Sequence, residues 1–459
     1  MMQAMLERFI QKSPVTVMTR AVFEYAMSAE RIDDLFRRHA VSQYEGELLF
    51  STAVDLLGLT VLRARNSLRE AYEIDKEAVG VTIKSLYDKL AKAELPVSRA
   101  LVRDTATQLE PIIRSLKGEL PPLLKGYRAK ILDGKHLGGT EHRLKETRTL
   151  NSAPLPGQWL VVLDPQQRLA IDAVPCEDAY TQERKLLAEV LPTVTQGDLW
   201  IADRNFCTTM FLFGLAQRKA CFAIRQHGST LSGKRRLGKR RRVGRCDTGM
   251  VYEQKMEIDH PDTGATMTLR RITIELDQPT RDGETVIHVL TNLPAAVGAL
   301  KVADIYRKRW TVETAFQELG QAFNAEIDTL CYPRAALLAY CIALMMYNTL
   351  SVVKASLRAV HGDEASPEKI SGYYLASEIK AIQGGMMVAI TPDQWRRRFG
   401  KTTPRRMASF LQECAVHVPI RRFLKNTRGP KRPPPKRTGG LREKHVSTAR
   451  LLAKRNGIH

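Results

Sequence analysis

The chain is short of the features that mark secreted, fibrous or membrane-embedded proteins. Its 459 residues include 7 cysteines (Cys176, Cys207, Cys221, Cys246, Cys331, Cys341, Cys414), an odd and scattered set with no C-x-x-C pair. That argues against a disulfide framework and against a zinc knuckle. The opening stretch MMQAMLERFIQKSPVTVMTRAVF interrupts its apolar residues with Glu7, Arg8 and Lys12 and offers no apolar core ahead of a cleavage site. A cytoplasmic location is therefore expected. One long run lacks charge, the nineteen residues from Ala335 to Val353, but Asn348, Thr349 and Ser351 break it and no second run accompanies it. It reads as a buried core helix, and no membrane partner is expected. No internal repeat is found.

Acidic residues are scarce in two places. Residues 421–459 carry thirteen Lys/Arg against Glu443 alone, and 234–245 carries eight Lys/Arg and no acid. Those segments hold +20 of the formal +22, leaving +2 for the other 408 residues. Charge concentrated in this way points to a polyanion, nucleic acid or an anionic membrane surface. The remaining composition, 44% hydrophobic and 26% charged, is that of a folded soluble body.

Periodicity divides the chain. Residues 1–125 carry apolar residues at three- and four-residue steps and end at Pro121-Pro122, which predicts a separate helical N-terminal domain. Within it a helix capped by Thr82 or Ser85, followed by one starting after Leu95-Pro96, is a candidate helix-turn-helix for DNA. From residue 126 the order becomes β-β-β-α-β-α-β through YRAKILDGKHL, WLVVLD, RLAIDAV, DLWIADRNF and ACFAIRQ. Three antiparallel strands followed by alternating helices and strands predict an α/β mixed sheet of the ribonuclease H-like type, spanning 126–226 and 297–360. Residues 227–296 alternate in a pattern that predicts an all-β insertion opened by the basic loop, 361–424 reads as helical, and 425–459 as a basic flexible tail.

Three acids stand where that topology would gather them: Asp133 at the end of the first strand, Asp203 at the end of the fourth, and Glu313 on the helix after the insertion. Three carboxylates in one shallow site repel one another unless cations lie between them. Such hard oxygen ligands suit Mg²⁺, and two ions about 3.5–4 Å apart can stabilise both the attacking and the leaving oxygen of a phosphodiester displacement. At about 100° per residue, Tyr306, Arg309 and position 320 fall near Glu313 on a single helix, where a cation and a hydroxyl could grip phosphates.

LDG at Asp133, IADRNF at Asp203, LTNLP at 290–294 and the Y-x2-R-x3-E spacing of Tyr306, Arg309 and Glu313 resemble the DDE transposases of bacterial insertion sequences, IS-four type. The resemblance covers roughly 130–355. It implies a DNA transposase that cuts at the element's ends and joins the freed 3′-hydroxyl to target DNA, often through a hairpin. Two Mg²⁺ ions, with Mn²⁺ able to substitute, would be held by Asp133, Asp203 and Glu313. Tyr306 and Arg309 would hold phosphates at the terminal inverted repeats, and two ends imply a homodimer. The family's usual Lys seven residues after the Glu is replaced here by Gly320.

Other residues are weighed on their own chemistry. Arg204 and Asn205 are expected to orient Asp203 or touch DNA. Lys234, Arg235, Arg236, Lys239, Arg240, Arg241, Arg242 and Arg245 are expected to contact DNA beside the active site. Trp310 is expected in the core, Asp172 facing solvent, Asp164 in a turn, and His136 in a structural role. Two other functions stay open: a catalytically silent DNA-binding protein derived from a transposase, and a structure-specific nuclease.

Overall fold

A computed structural model describes residues 2–44, 46–228, 231–280, 283–426 and 445–456. Its strands are β1 (Arg128–His136), β2 (Pro154–Leu155), β3 (Gln158–Asp164), β4 (Leu169–Cys176), β5 (Asp198–Ala202), β6 (Cys221–Arg225), β7 (Arg235–Cys246), β8 (Gly249–Asp259), β9 (Thr266–Leu276), β10 (Val286–Thr291) and β11 (Val446–Ser447). Nine of them form one sheet in the order β4-β3-β1-β5-β6-β10-β9-β8-β7. β4, β3 and β1 run antiparallel, and β5 and β6 run parallel to β1. This is the mixed α/β, ribonuclease H-like order.

The segment expected as a separate β insertion instead continues the same sheet. β10 pairs antiparallel with β6, Leu290 opposite Ile224, and β9, β8 and β7 add in turn. An uncovered β6 edge would leave unpaired backbone groups, and β10 satisfies them. The basic run is thus the outermost strand of the sheet, not a loop.

Alternate residues feed two cores, as strand geometry requires. Ile131, Val161, Ile201, Ala223, Ile272 and Val289 join one cluster with the helices Leu95–Leu116 and Pro333–His361. Leu132, Leu160, Trp200, Phe222 and Leu290 join the other with Phe211, Leu212 and Leu215 of the helix Thr209–Gln217.

The N-terminal helices do not build a core of their own. Leu6, Val17, Phe36 and Leu57 belong to the first of these clusters, together with the sheet and the C-terminal helices. The helix Leu95–Leu116, the second member of the candidate helix-turn-helix, buries Val97, Leu101, Val102, Leu109, Ile112 and Ile113 against β4 and Pro333–His361. That face is spent on packing. Thr82 does cap the preceding helix, its Oγ1 accepting from Ser85 N at 3.2 Å. Arg99 on the long helix grips Asp172 through Nε at 2.9 Å and Nη2 at 2.8 Å. Asp172, expected at the surface, is therefore buried as an ion-pair partner. Asp164 forms the expected turn, accepting from Gln166 N at 2.8 Å and Gln167 N at 3.1 Å.

Residues 427–444 and 457–459 of the expected tail lie outside the described residues, but Val446–Arg455 departs from a flexible arm. β11 pairs with β2, and the helix Thr448–Arg455 follows. Ser447 Oγ donates to Asp178 at 2.7 Å, Arg450 meets the same carboxylate at 2.8 Å, and Arg455 meets Glu146 at 3.0 Å. Local acids hold the cationic segment on the sheet's flank.

The apolar run forms the helix Pro333–His361, and its most apolar window is wholly buried. Two of the three polar interruptions in this run, Asn348 and Ser351, serve the edge strand and the turn before it. Asn348 Oδ1 accepts from Ala170 N at 2.8 Å and its Nδ2 donates to Ala170 O at 2.9 Å, while Ser351 Oγ donates to Arg168 O at 2.7 Å. Replacing Asn348 with Leu orphans two buried backbone groups, each costing about 1–3 kcal/mol. Asn348→Leu is therefore expected to lower the unfolding midpoint clearly in a thermal melt, despite its greater apolarity; an unchanged or higher midpoint contradicts the pairing.

Candidate active site

The site begins with a register. Asp198 is fully buried at the start of β5 and accepts from Arg128 Nε at 2.9 Å and Lys130 Nζ at 2.7 Å, both on β1. These bonds lock β1 to β5 with Leu132 opposite Ala202. The next residue of each segment is an aspartate, so Asp133 within β1 and Asp203 directly after β5 emerge side by side on two interior strands of the sheet. Gly134 N donates to Asp133 Oδ1 at 3.0 Å.

Glu313 lies in the first turn of the helix Trp310–Ala322, which packs on β1. Tyr306 sits on the preceding helix, Ala299–Arg307, and Arg309 at the junction. The expected single helix is thus two, broken at Lys308-Arg309. The break leaves Arg309 only 8% exposed, with Nη1 donating to Asp133 Oδ2 at 3.3 Å and Nη2 to Glu313 Oε1 at 2.8 Å. Tyr306 OH points to Asp203 Oδ1 at 3.5 Å, a long and weak contact. Arg309 therefore joins the first and third acids, and Tyr306 reaches the second.

Among the described residues no group of three or more His, Cys, Asp or Glu is close enough to hold a metal ion. The donor chemistry nevertheless fits one. Asp133 and Glu313 already converge on a cation, the Arg309 guanidinium, whose buried Nε has no hydrogen-bond partner. Hard carboxylates arranged around a positive charge match what Mg²⁺ takes. Asp133, Asp203 and Glu313 are the residues that would hold it.

The electrostatics reflect burial of the acids beside one internal cation. Burial pushes the Asp133 carboxyl up to about 7, Arg309 and the Gly134 N–H oppose this, and Glu313 and Glu183 add to it. Burial and then Asp203 raise the Tyr306 hydroxyl, so it stays a phenol. For Arg309, burial works against the charge, but Tyr306, Asp133, Asp203 and Glu313 outweigh it and raise its pKa.

The other expected residues divide. Arg204 pairs with Glu284 at 2.7 Å, and Arg225 binds the same carboxylate. Asn205 Nδ2 approaches Glu183 Oε2 at 3.4 Å, and His136 Nδ1 lies 3.9 Å from Glu183. Asn205, Glu183 and His136 line a cavity of about 470 Å³ with Tyr180, Arg184 and His227. Trp310, expected in the core, is 59% exposed beside a second, more apolar cavity of about 540 Å³ bounded by Ile274, Leu276, Ile287 and Tyr306. Gly320 is exposed with open space around it, so no neighbour excludes a side chain there.

Within the basic strand, Arg235 pairs with Glu257 and Asp259, Arg240 with Glu275, Arg241 with Glu253 and Arg245 with Asp277. Neighbouring strands therefore neutralise part of the run. Among the described residues Lys234, Arg236, Lys239 and Arg242 have no acid within 4 Å.

Glu183 is a residue that the sequence did not single out. Its carboxylate packs so closely on Gly134 that a Cβ there would collide with it. It sits in a single turn, Glu183–Leu186, fifty residues from Asp133, and no local pattern marks it.

A carboxyl whose pKa rises on folding, from 3.8 to about 7, makes folding take up a proton, so stability falls as pH climbs through that window. Asp133→Asn removes this cost. Without divalent cations its gain in melting temperature over the parent is expected to be larger at pH 8 than at pH 4; equal shifts at both would contradict the assigned burial.

No curated protein matches the chain in sequence. A solved structure of the piggyBac transposase synaptic complex with hairpin DNA is similar at a TM-score of 0.40 and 11% identity, over 86% of each chain. Residues 125–349, the stretch that contains Asp133, Asp203 and Glu313, match the family model of the transposase DDE domain.

Proposed function

We propose that the chain is a DNA transposase of the insertion-sequence type, cutting DNA at element ends and transferring the 3′-hydroxyl ends into target DNA as a homodimer in the cytoplasm. The observation that carries this reading is the match of 125–349 to the transposase DDE domain, because that stretch contains all three acids and both residues that reach them.

Asp133, Asp203 and Glu313 are proposed as the ligands of divalent metal, Mg²⁺ with Mn²⁺ as a substitute. Bound metal would supply Lewis-acid stabilisation of the attacking and leaving oxygens in phosphoryl transfer. The chain's own groups do the rest. Tyr306 stays protonated and donates, Arg309 carries a permanent positive charge to the same place, and both are positioned to hold phosphate oxygens once DNA competes for them. Arg204 and Asn205 frame the Asp203 side. The unpaired cations of β7, Arg236, Lys239 and Arg242, with Lys234 just before it, supply sequence-independent attraction for the backbone.

The test is cleavage of DNA bearing the repeats that flank this reading frame, with Mg²⁺. Asp133→Ala, Asp203→Ala and Glu313→Ala are each expected to reduce cleavage and joining by at least about 10³-fold, roughly 4 kcal/mol of barrier, while end binding in a gel-shift assay changes little. Cleavage retained in one variant removes that residue from the site. Wild-type protein that binds the ends but never cuts supports the silent binder, and cutting without joining supports the nuclease.

A further inference from the structure

The two faces of the outer sheet differ. On β9, Ile272 and Ile274 point to the cluster beneath the acid site, whereas Leu269 points to the opposite one. Arg271 and Thr273 alternate with the former and share the face of Leu269. So does His288 on β10, two residues before Leu290, with Thr273 Oγ1 and His288 Nδ1 3.0 Å apart. On β7, Arg236 lies opposite Met256, which also belongs to that face, and Arg240 stacks on Tyr252 with its guanidinium 4.0 Å from the ring centre.

Arg271 is anomalous there. It is 7% exposed, yet among the described residues its one hydrogen bond is from Nε to Gln226 Oε1 at 2.7 Å and it has no carboxylate within 4 Å. Arg240 is neutralised by Glu275 at 2.8 Å, but Arg236 has no such partner among the described residues. Burial, then Arg236 and Arg240, make the Arg271 charge harder to hold and lower its pKa to about 10. Burial and the same three arginines, with Arg225, hold His288 neutral, down to about 4. A buried guanidinium without a counter-charge is costly, and here two more cations crowd it. An anion would relieve Arg271 and Arg236, which lack the counter-charge that Glu275 gives Arg240.

We propose that Arg271, with Arg236, Arg240 and the Gln226 amide, forms a seat for one phosphate group on the sheet face opposite the three acids. Arginine's planar fork suits a tetrahedral oxyanion, and the buried Arg271 forms the floor of the seat while the exposed Arg236 and Arg240 stand at its rim. Taking the phosphate to be one in a nucleic-acid backbone rests on the transposase reading, and it gives that substrate a second point of attachment away from the metal ligands.

The test uses the full chain and two probes. With sodium phosphate as probe, the unfolding midpoint is expected to rise relative to sodium chloride at equal ionic strength, and the rise is expected to disappear in Arg271→Gln. Arg236→Gln changes an exposed residue, so it reports on the seat even if Arg271→Gln does not fold; it is expected to weaken the phosphate response several-fold. With a DNA duplex as probe, Arg271→Gln or Arg236→Gln should lower the slope of log binding constant against log salt by about 0.9, one phosphate contact. A phosphate response unchanged in both variants overturns the seat. A response lost in the variants with an unchanged DNA slope overturns the nucleic-acid assignment and leaves a seat for a free phosphate compound. Cleavage by the same preparations keeps the two ideas apart. Asp133-dependent cutting with an Arg271-independent phosphate response rejects the seat alone, whereas an Arg271-dependent response without any cutting rejects the transposase reading alone.

Discussion

The arrangement of the three acids depends on one guanidinium. Arg309 lies almost fully buried between Asp133 and Glu313, and without a cation in that place two carboxylates from distant parts of the chain would repel each other in a desolvated pocket. Its position follows from a break between two helices, which places Arg309 at their junction instead of on an exposed helical face. The cation that the structure places between these two carboxylates is the permanent one the chain itself carries. Burial raises the Asp133 carboxyl, and the Arg309 charge opposes that shift.

Beneath the site, rigidity comes from charges used structurally. Asp198 fixes β1 against β5 through Arg128 and Lys130, and Lys354 forms a buried ion pair with Glu318 on the Glu313 helix. The helix Pro333–His361 ties this layer to the edge strand through Asn348. Breaking one partner of such buried pairs costs more than the pair contributes, since the survivor is left uncompensated. Asp133 is thereby held on a strand and Glu313 on a helix, with Asp203 directly after β5, and such elements position side chains more firmly than loops do.

Much of this was legible in the sequence because it is local. The period-two runs ending at Asp133 and near Asp203 specified two strands, and their order specified a parallel neighbourhood that brings both acids side by side. The charge-free run with its three polar interruptions specified a core helix, although not that Asn348 would satisfy Ala170. What was not legible is long-range. Nothing in 227–296 says that β10 will join β6 and extend the sheet rather than close a separate domain. The partners of the basic run come from β8, β9 and the turn after β9, so its net charge overstated the free charge it presents. Glu183 reaches Gly134 from a single turn, and Asp172 is buried only because Arg99 arrives from another helix. Trp310 reads as core by its size, but it flanks an open cavity.

The most direct measurement of the central claim is metal-directed backbone cleavage, in which Fe²⁺ replaces Mg²⁺ and ascorbate with peroxide generates hydroxyl radicals at the bound ion. If Asp133, Asp203 and Glu313 share one metal site, the chain is cut near residues 133, 203 and 313, and excess Mg²⁺ suppresses all three cuts together. Cuts confined to other segments, or cuts near these residues that Mg²⁺ leaves unchanged, would contradict a shared site.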